Sequence, residues 1–142
     1  MDTDDLYISL YEGFSPTAEY LQADSQHRNL LAEGLIIAGL SFALKAFAEA
    51  FFEKLGESAA EATVNGIKRL FKRSEESGDR QALLDGLALM APYLPHLGAM
   101  NAAQRAVYQA AVATALGTRG YPKAVAEQTA AELMLKLQAG GT

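Results

Sequence analysis

Hydrophobic and polar positions follow a helical period along most of this chain, most clearly between residues 30 and 55. Large apolar side chains recur there every three or four positions, which aligns them along one side of an α-helix: Ile36, Leu40, Leu44, Phe47, Phe51 and Leu55. Glu49, Glu53 and Glu57 fall on the other side. The pattern predicts a long amphipathic helix, which holds four of the six phenylalanines of the chain.

A glycine and a polar stretch divide the region that follows. Gly56 is a typical helix terminator, and Ser58-Ala-Ala-Glu61 resembles a capping box, so a new helix is expected from Ala59 to Arg73. One helix continuing through Gly56 is the alternative. The polar, glycine-bearing stretch 74–79 predicts a linker.

Capping and proline signals predict the C-terminal helices. Asp79 is expected to cap a helix that Pro92 and Pro95 stop, and Asn101-Ala-Ala-Gln104 resembles another capping box. Gly117 ends the helix that Asn101 opens, and Pro122 begins the last one. The expected ranges are about 80–91, 102–116 and 122–138.

The N-terminal residues 1–14 have a different pattern. Leu6, Ile8 and Leu10 alternate with more polar neighbours, a period near two that is typical of a strand. A single strand makes no sheet, so we expect an extended arm or short helix packed on the body. An arm that pairs with the edge of a partner's sheet is the alternative. A helix from Pro16 towards Asn29 is expected next.

Together these patterns predict an all-α fold, a single-domain bundle of about five helices with an N-terminal extended arm. Along the chain we expect an arm and first helix (1–29), an amphipathic helical pair (30–73), a linker (74–79) and C-terminal helices (80–139).

Composition narrows the function classes. The chain has 142 residues, half of them apolar, a net charge of −5 and no cysteine. The negative charge disfavours nucleic acid as a partner, since a phosphate backbone attracts a cationic surface. The acidic start Met1-Asp-Thr-Asp-Asp5 lacks the basic residues of a secretory signal, so we expect a cytoplasmic protein, with the periphery of a membrane as a further site.

Candidate chemistry is sparse. His27 and His96 are the two histidines, and neither has a second ligand one helical turn away. The row of glutamates opposite the phenylalanine stripe is expected to be a solvated face. No phosphate-binding or nucleophile motif occurs. We therefore expect no catalytic residue, no cofactor, no metal and no small-molecule substrate.

The uncharged run from Gly34 to Leu44 is the most unusual segment. Its eleven residues are too few for a simple membrane span, which needs about 20. Burial in the core, an oligomer contact and a membrane contact all remain open. If the segment is a contact surface, exposed aromatic rings should carry most of the binding energy. The predicted interaction residues are Ile36, Leu40, Phe42, Phe47, Phe51 and Phe52.

Residues 68–73 form a basic patch that has a structural and a functional interpretation. Its members are Lys68, Arg69, Lys72 and Arg73. These side chains complement the negative end of a helix dipole if the helix stops at Arg73. The alternative is a contact with phosphate groups, either of an anionic membrane surface or of a nucleic acid.

The stretch from Phe51-Phe-Glu-Lys-Leu-Gly-Glu-Ser-Ala-Ala-Glu to Ile67-Lys-Arg-Leu-Phe-Lys-Arg73 resembles segments of small helical modules in bacterial conflict and antiviral signalling systems. The tail Ala115-Leu-Gly-Thr-Arg-Gly-Tyr-Pro-Lys-Ala-Val-Ala is similar to the closing helices of such adaptor modules. The resemblance covers about half of the chain and implies an adaptor or effector-associated role, often with self-association or membrane action. It carries no functional residue across.

The sequence thus favours a non-enzymatic helical module that binds protein, including copies of itself. A membrane-docking effector that uses the 35–55 helix and the basic patch is the first alternative. A small inhibitor or regulator of an enzyme is the second.

Overall fold

The computed structural model describes residues 2–21 and 32–141, and every regular element in these ranges is a helix. The prediction of an all-α fold is therefore confirmed. In chain order the elements are α1 (Thr3–Phe14), a 3-10 segment (Ser15–Leu21), α2 (Ala32–Leu55), α3 (Glu61–Ser77), α4 (Arg80–Met90), α5 (Leu94–Ala99), α6 (Ala102–Thr118) and α7 (Lys123–Gly140).

The N-terminal segment is a helix packed on the body, which was one of the two predicted forms, and the extended arm of the predicted fold is wrong. Leu6, Leu10 and Phe14 are buried at a spacing of four, whereas Ile8, the residue that created the alternating pattern, is half exposed. Asp2 caps α1, because its Oδ1 accepts a hydrogen bond of 2.8 Å from the Asp5 amide. The 3-10 segment follows, and the rest of the helix predicted towards Asn29, with His27, lies outside the described residues.

Helix α2 occupies the centre of the fold. Thirteen of its 24 residues are buried, and it packs against α1, α3, α4 and α6. Neighbours on several sides explain why its sequence is apolar beyond one stripe, since a helix that is covered all round has no face to give to water. The uncharged run is therefore core.

Helices α2 and α3 form an antiparallel pair. Gly56 adopts a positive φ of 56° after α2, which confirms the predicted break. The predicted capping box is wrong: Ser58 belongs to a short 3-10 turn, and Ala60 precedes α3 without a side-chain cap. The Ala59 amide bonds the Gly56 carbonyl instead, and this turn delays the start of the helix by two residues.

The stretch predicted as a linker is mostly helical. Helix α3 continues to Ser77 and ends at Gly78, whose φ of 68° is the left-handed conformation that favours glycine. Ser74 and Glu75 are buried against α2 in spite of their polarity. Because α3 runs past Arg73, the basic residues do not lie at its C-terminal end, and a dipole-complementing role for them is wrong.

The C-terminal half has the predicted N-terminal caps, whereas Gly117, which was predicted to end α6, lies inside that helix. The Asp79 side chain accepts a hydrogen bond from the Gln81 amide, and Asn101 and Gln104 form a reciprocal capping box. Pro122 precedes α7 directly. Helix α6 packs against α2 on one side and α7 on another, and α7 returns to contact α1, so the two ends of the chain close the fold.

Candidate functional site

The predicted interaction residues lie in the core rather than on the surface. Leu40, Phe47 and Phe51 are fully buried, Ile36 is 7% exposed and Phe52 is 4% exposed. Phe47 stacks on Phe51 with ring centroids 5.0 Å apart. The prediction of exposed rings is wrong for Phe47, Phe51 and Phe52, because α6 and the segment before α5 cover them with Tyr108 and Tyr93.

Phe42 is the one predicted contact residue that is only partly buried, and two cations cover its ring. The Arg119 guanidinium lies 4.2 Å from the ring centroid, and the Lys45 ammonium lies 5.7 Å from it. Both distances are within the range of cation–π attraction. Phe42 therefore forms the apolar floor of a charged cluster.

Glu75 lies at the centre of this cluster. Its side chain is 7% exposed, and its Oε2 pairs with the Lys45 Nζ at 2.6 Å. Its Oε1 pairs with the Arg119 guanidinium, which arrives from the end of α6. A buried carboxylate is stabilised only when it is paired and hydrogen-bonded, and both oxygens meet that condition. The cluster ties α2, α3 and the C-terminus of α6 together.

Two buried serines extend the cluster inward. The Ser74 hydroxyl donates to the Ser41 hydroxyl at 2.6 Å, and Ser41 donates to the Ile37 carbonyl at 2.6 Å. Both side chains are fully buried. Since each hydroxyl is engaged with a neighbour on the helix pair, the two serines fix the register of α2 against α3.

Sequence reasoning missed this cluster because its members are distant in the chain. The available signals on α2 were Ser41, a polar residue within the uncharged run, and Lys45, the charged residue that ends the run. The matching residues on α3 fell within the stretch assigned to a linker. Ser74 and Glu75 could have been paired with Ser41 and Lys45 only if α3 had been known to extend this far and to run antiparallel to α2.

The basic patch is exposed on the outer face of α3. Arg69, Lys72 and Arg73 are exposed and Lys68 is half-buried. Arg73 lies 3.8 Å from Asp79, a surface pair of little energetic weight. The fold thus brings the four predicted residues together on one helix, separate from the buried aromatic rings.

An open groove of about 490 Å³ lies between α2 and α3. Glu49 and Glu53 form its α2 wall, Lys68 forms its α3 wall, and Phe52 and Val64 lie between them. Both glutamates are exposed, as predicted for the solvated row. The groove therefore carries opposite charges on its two walls.

Helix α6 presents a second kind of surface. Only Tyr108, Val112 and Leu116 of its 17 residues are buried. A cleft of about 430 Å³ lies beside it, with Met100 and half-exposed Val107 in its lining. Further shallow clefts flank its alanine-rich side towards α7. The outward positions of this face are Ala103, Ala106, Val107, Ala110 and Thr114.

Tyr121, in the connection between α6 and α7, has the most strongly shifted pKa among the described residues. It is 4% exposed and packs against Phe14 and Tyr20. Burial raises the pKa of its phenol to about 12, and the neighbouring Thr17 hydroxyl acts in the opposite direction. Folding therefore favours the neutral form of this tyrosine, and the effect appears only at alkaline pH.

Within residues 2–21 and 32–141, no three His, Cys, Asp or Glu side chains are grouped as metal ligands. His96 is exposed on α5. The helical stretch Ala32–Ser58 is long and apolar enough to cross a membrane, but 72% of its most apolar window is buried inside the fold. Burial of this kind is what a soluble core helix shows as well.

Comparison with models of protein families, with curated proteins and with solved structures finds no match for this chain.

Proposed function

We propose that this protein is a non-enzymatic helical module that works by binding protein, including copies of itself. The outer face of α6 carries the proposal. A 17-residue helix with three buried residues leaves a row of small side chains uncovered, and Val107 projects from it with half its surface exposed. Small residues let a partner helix approach closely, and clefts on both sides of α6 offer room for its larger side chains.

The buried charged cluster supports the same proposal, because it holds the helices that carry the outer faces in fixed positions. Glu75, the most buried ionisable side chain of the charged cluster, is held between two cations and ties three helices together. This arrangement stabilises the scaffold and leaves recognition to the outer faces of the helices. Protein-binding surfaces on rigid helices need no further chemistry than shape and charge.

The resemblance to helical modules of bacterial antiviral systems suggests the biological process in which such a module would act. An adaptor in such a system joins other proteins and commonly self-associates. A regulator that masks an enzyme would use the same kind of surface.

Site-specific photo-crosslinking in the native host tests the proposal. Benzoylphenylalanine replaces Val107 on the α6 face, and a matched variant carries it at exposed Gln128 on α7. We expect discrete protein adducts from position 107 and few from position 128. Equal labelling at the two positions, or no protein adduct at 107, would contradict an α6 binding face.

A membrane-docking function is the second candidate, and one observation favours it. The apolar stretch Ala32–Ser58 lies directly beneath α3, whose exposed basic residues suit anionic headgroups. Docking through α3 would bring a helix of membrane-spanning length close to the bilayer.

Co-sedimentation with vesicles tests this candidate. We expect pelleting with phosphatidylglycerol vesicles and not with phosphatidylcholine vesicles. Replacing Arg69 and Lys72 with Glu should abolish it, whereas the same change at Lys123 on α7 should not. Absence of pelleting with anionic vesicles at low salt would eliminate the membrane function.

A further inference from the structure

The groove between α2 and α3 has walls of opposite charge. Its α2 wall is acidic, through Glu49 and Glu53, and its α3 wall is basic, through Lys68. Lys72 continues the basic wall one helical turn further along α3. Acid and base therefore face each other across the open groove.

Within residues 2–21 and 32–141, nothing neutralises these charges. Among the described residues, Glu49, Glu53, Lys68 and Lys72 make no ion pair within 4.0 Å. The acidic and basic walls are thus adjacent but remain available to charges from outside.

A surface of this kind is complementary to itself. The two helices run antiparallel, since Ser41 contacts Ser74 near one end of the pair while Phe52 and Val64 line the groove near the other. A two-fold rotation about the length of the groove lays the acidic wall of one copy over the basic wall of the other. Every favourable pair then occurs twice, as in any isologous interface.

We propose that this groove binds a second copy of the chain through such a two-fold contact. The proposal rests on the proposed function as a protein-binding module and names one partner and its surface. Each Lys68 meets Glu49 of the other copy, and half-buried Val64 is the apolar side chain between the charged walls.

Charge complementarity selects this occupant. An anionic membrane or a nucleic acid would be attracted by Lys68 and Lys72 but repelled by the glutamate wall beside them. A second copy satisfies both walls at once. The contact depends on exposed charges, so the dimer should be sensitive to salt.

Sedimentation equilibrium of the whole chain tests the proposal with two charge-reversal variants. One carries Lys68→Glu and Lys72→Glu, which makes both walls acidic. The other carries Glu49→Lys and Glu53→Lys, which makes both walls basic. The control for the second variant carries Glu12→Lys and Asp85→Lys, the same change of net charge at exposed positions on α1 and α4.

We expect a concentration-dependent dimer for the natural chain and the control. Each reversal variant alone should dimerise at least about tenfold more weakly, because like charges then face each other. An equimolar mixture of the two variants should recover the dimer as a heterodimer. For the natural chain, raising the salt from about 0.05 M to about 0.5 M should weaken the dimer several-fold.

Three outcomes would overturn the inference. They are a natural chain that stays monomeric at all concentrations, a mixture that stays monomeric while the natural chain dimerises, and a control weakened as much as the variants. A monomeric chain that still gives adducts at position 107 would leave the proposed function intact. Failure of both experiments would remove the function as well.

Discussion

Helices α2 and α6 are both rich in alanine and apolar residues, yet they occupy opposite environments. More than half of α2 is buried, whereas α6 buries three residues of 17. The difference lies in side-chain size and in the number of neighbours. Helix α2 carries leucine, isoleucine and phenylalanine on several sides and is surrounded, while α6 carries mostly alanine outside one stripe. Alanine favours the helix and loses little by facing water, so apolar composition alone does not report burial.

The largest expected loss of stability comes from truncating a buried side chain of α2. Phe47 is fully buried and contacts the rings of Phe51 and Tyr108. Phe47→Ala should lower the free energy of unfolding by about 3–5 kcal/mol, measured by urea denaturation, because it removes transfer energy and leaves a cavity. Val107→Ala on α6 should change it by less than about 0.5 kcal/mol. Similar losses in both variants would contradict the contrast between the helices.

The charged cluster joins α2 to the end of α6, and its carboxylate is the next most sensitive position. Glu75→Gln removes the anion that pairs with Lys45 and Arg119, whose side chains are only 23% and 20% exposed. We expect a loss of about 2–3 kcal/mol in the free energy of unfolding, smaller than for a fully buried pair because both cations reach water. The exposed neighbour supplies the control: Glu76→Gln should be nearly neutral. A neutral Glu75→Gln would mean that the cluster contributes nothing.

Alkaline pH should loosen the connection between α6 and α7. The pKa of Tyr121 is about 12 in the folded protein and about 10 when unfolded. Its neutral form is favoured by folding, so its contribution is fully present below pH 10 and is lost as the pH rises towards 12. The free energy of unfolding should fall by up to about 2 kcal/mol across this interval.

Tyr121→Phe provides the control for that measurement. The variant should have a shallower pH dependence in urea denaturation, and its phenolate absorbance should lack the last-titrating component. Burial also raises the pKa values of Tyr7 and Tyr108, so some alkaline dependence should remain. An unchanged slope would show that Tyr121 is not the group responsible.

The smallest effect tests the openness of α6. A Cβ added at Gly117 meets nothing within 4 Å, so Gly117→Ala should raise the free energy of unfolding by about 0.5–1 kcal/mol through helix propensity. At Gly86 of α4 the same Cβ would lie 2.6 Å from the Phe71 ring, and Gly86→Ala should be destabilising. If thermal denaturation shows that both substitutions stabilise the protein, or that both destabilise it, the contrast between open α6 and the closely packed Gly86 site is wrong.

The predictable parts of the fold were those governed by neighbouring residues. The caps at Asp79 and Asn101, the break at Gly56 and the start of α7 after Pro122 follow from local backbone chemistry. The N-terminal helix was misjudged because the alternation around Ile8 resembled a strand. The polar end of α3 was misjudged because buried serine and glutamate residues look like a loop until their partners are known.

The sequence by itself determined that the chain is helical, where most helices begin and end, and that residues 34–44 need a covered environment. Propensity, capping and periodicity act within a few residues and can be read locally. Only the tertiary structure decided that α2 is enclosed, that Glu75 joins Lys45 and Arg119, and that acidic and basic walls face each other across one groove. The charged cluster joins residues 30 or more positions apart, and the groove depends on how two helices pair, so no local pattern encodes either one.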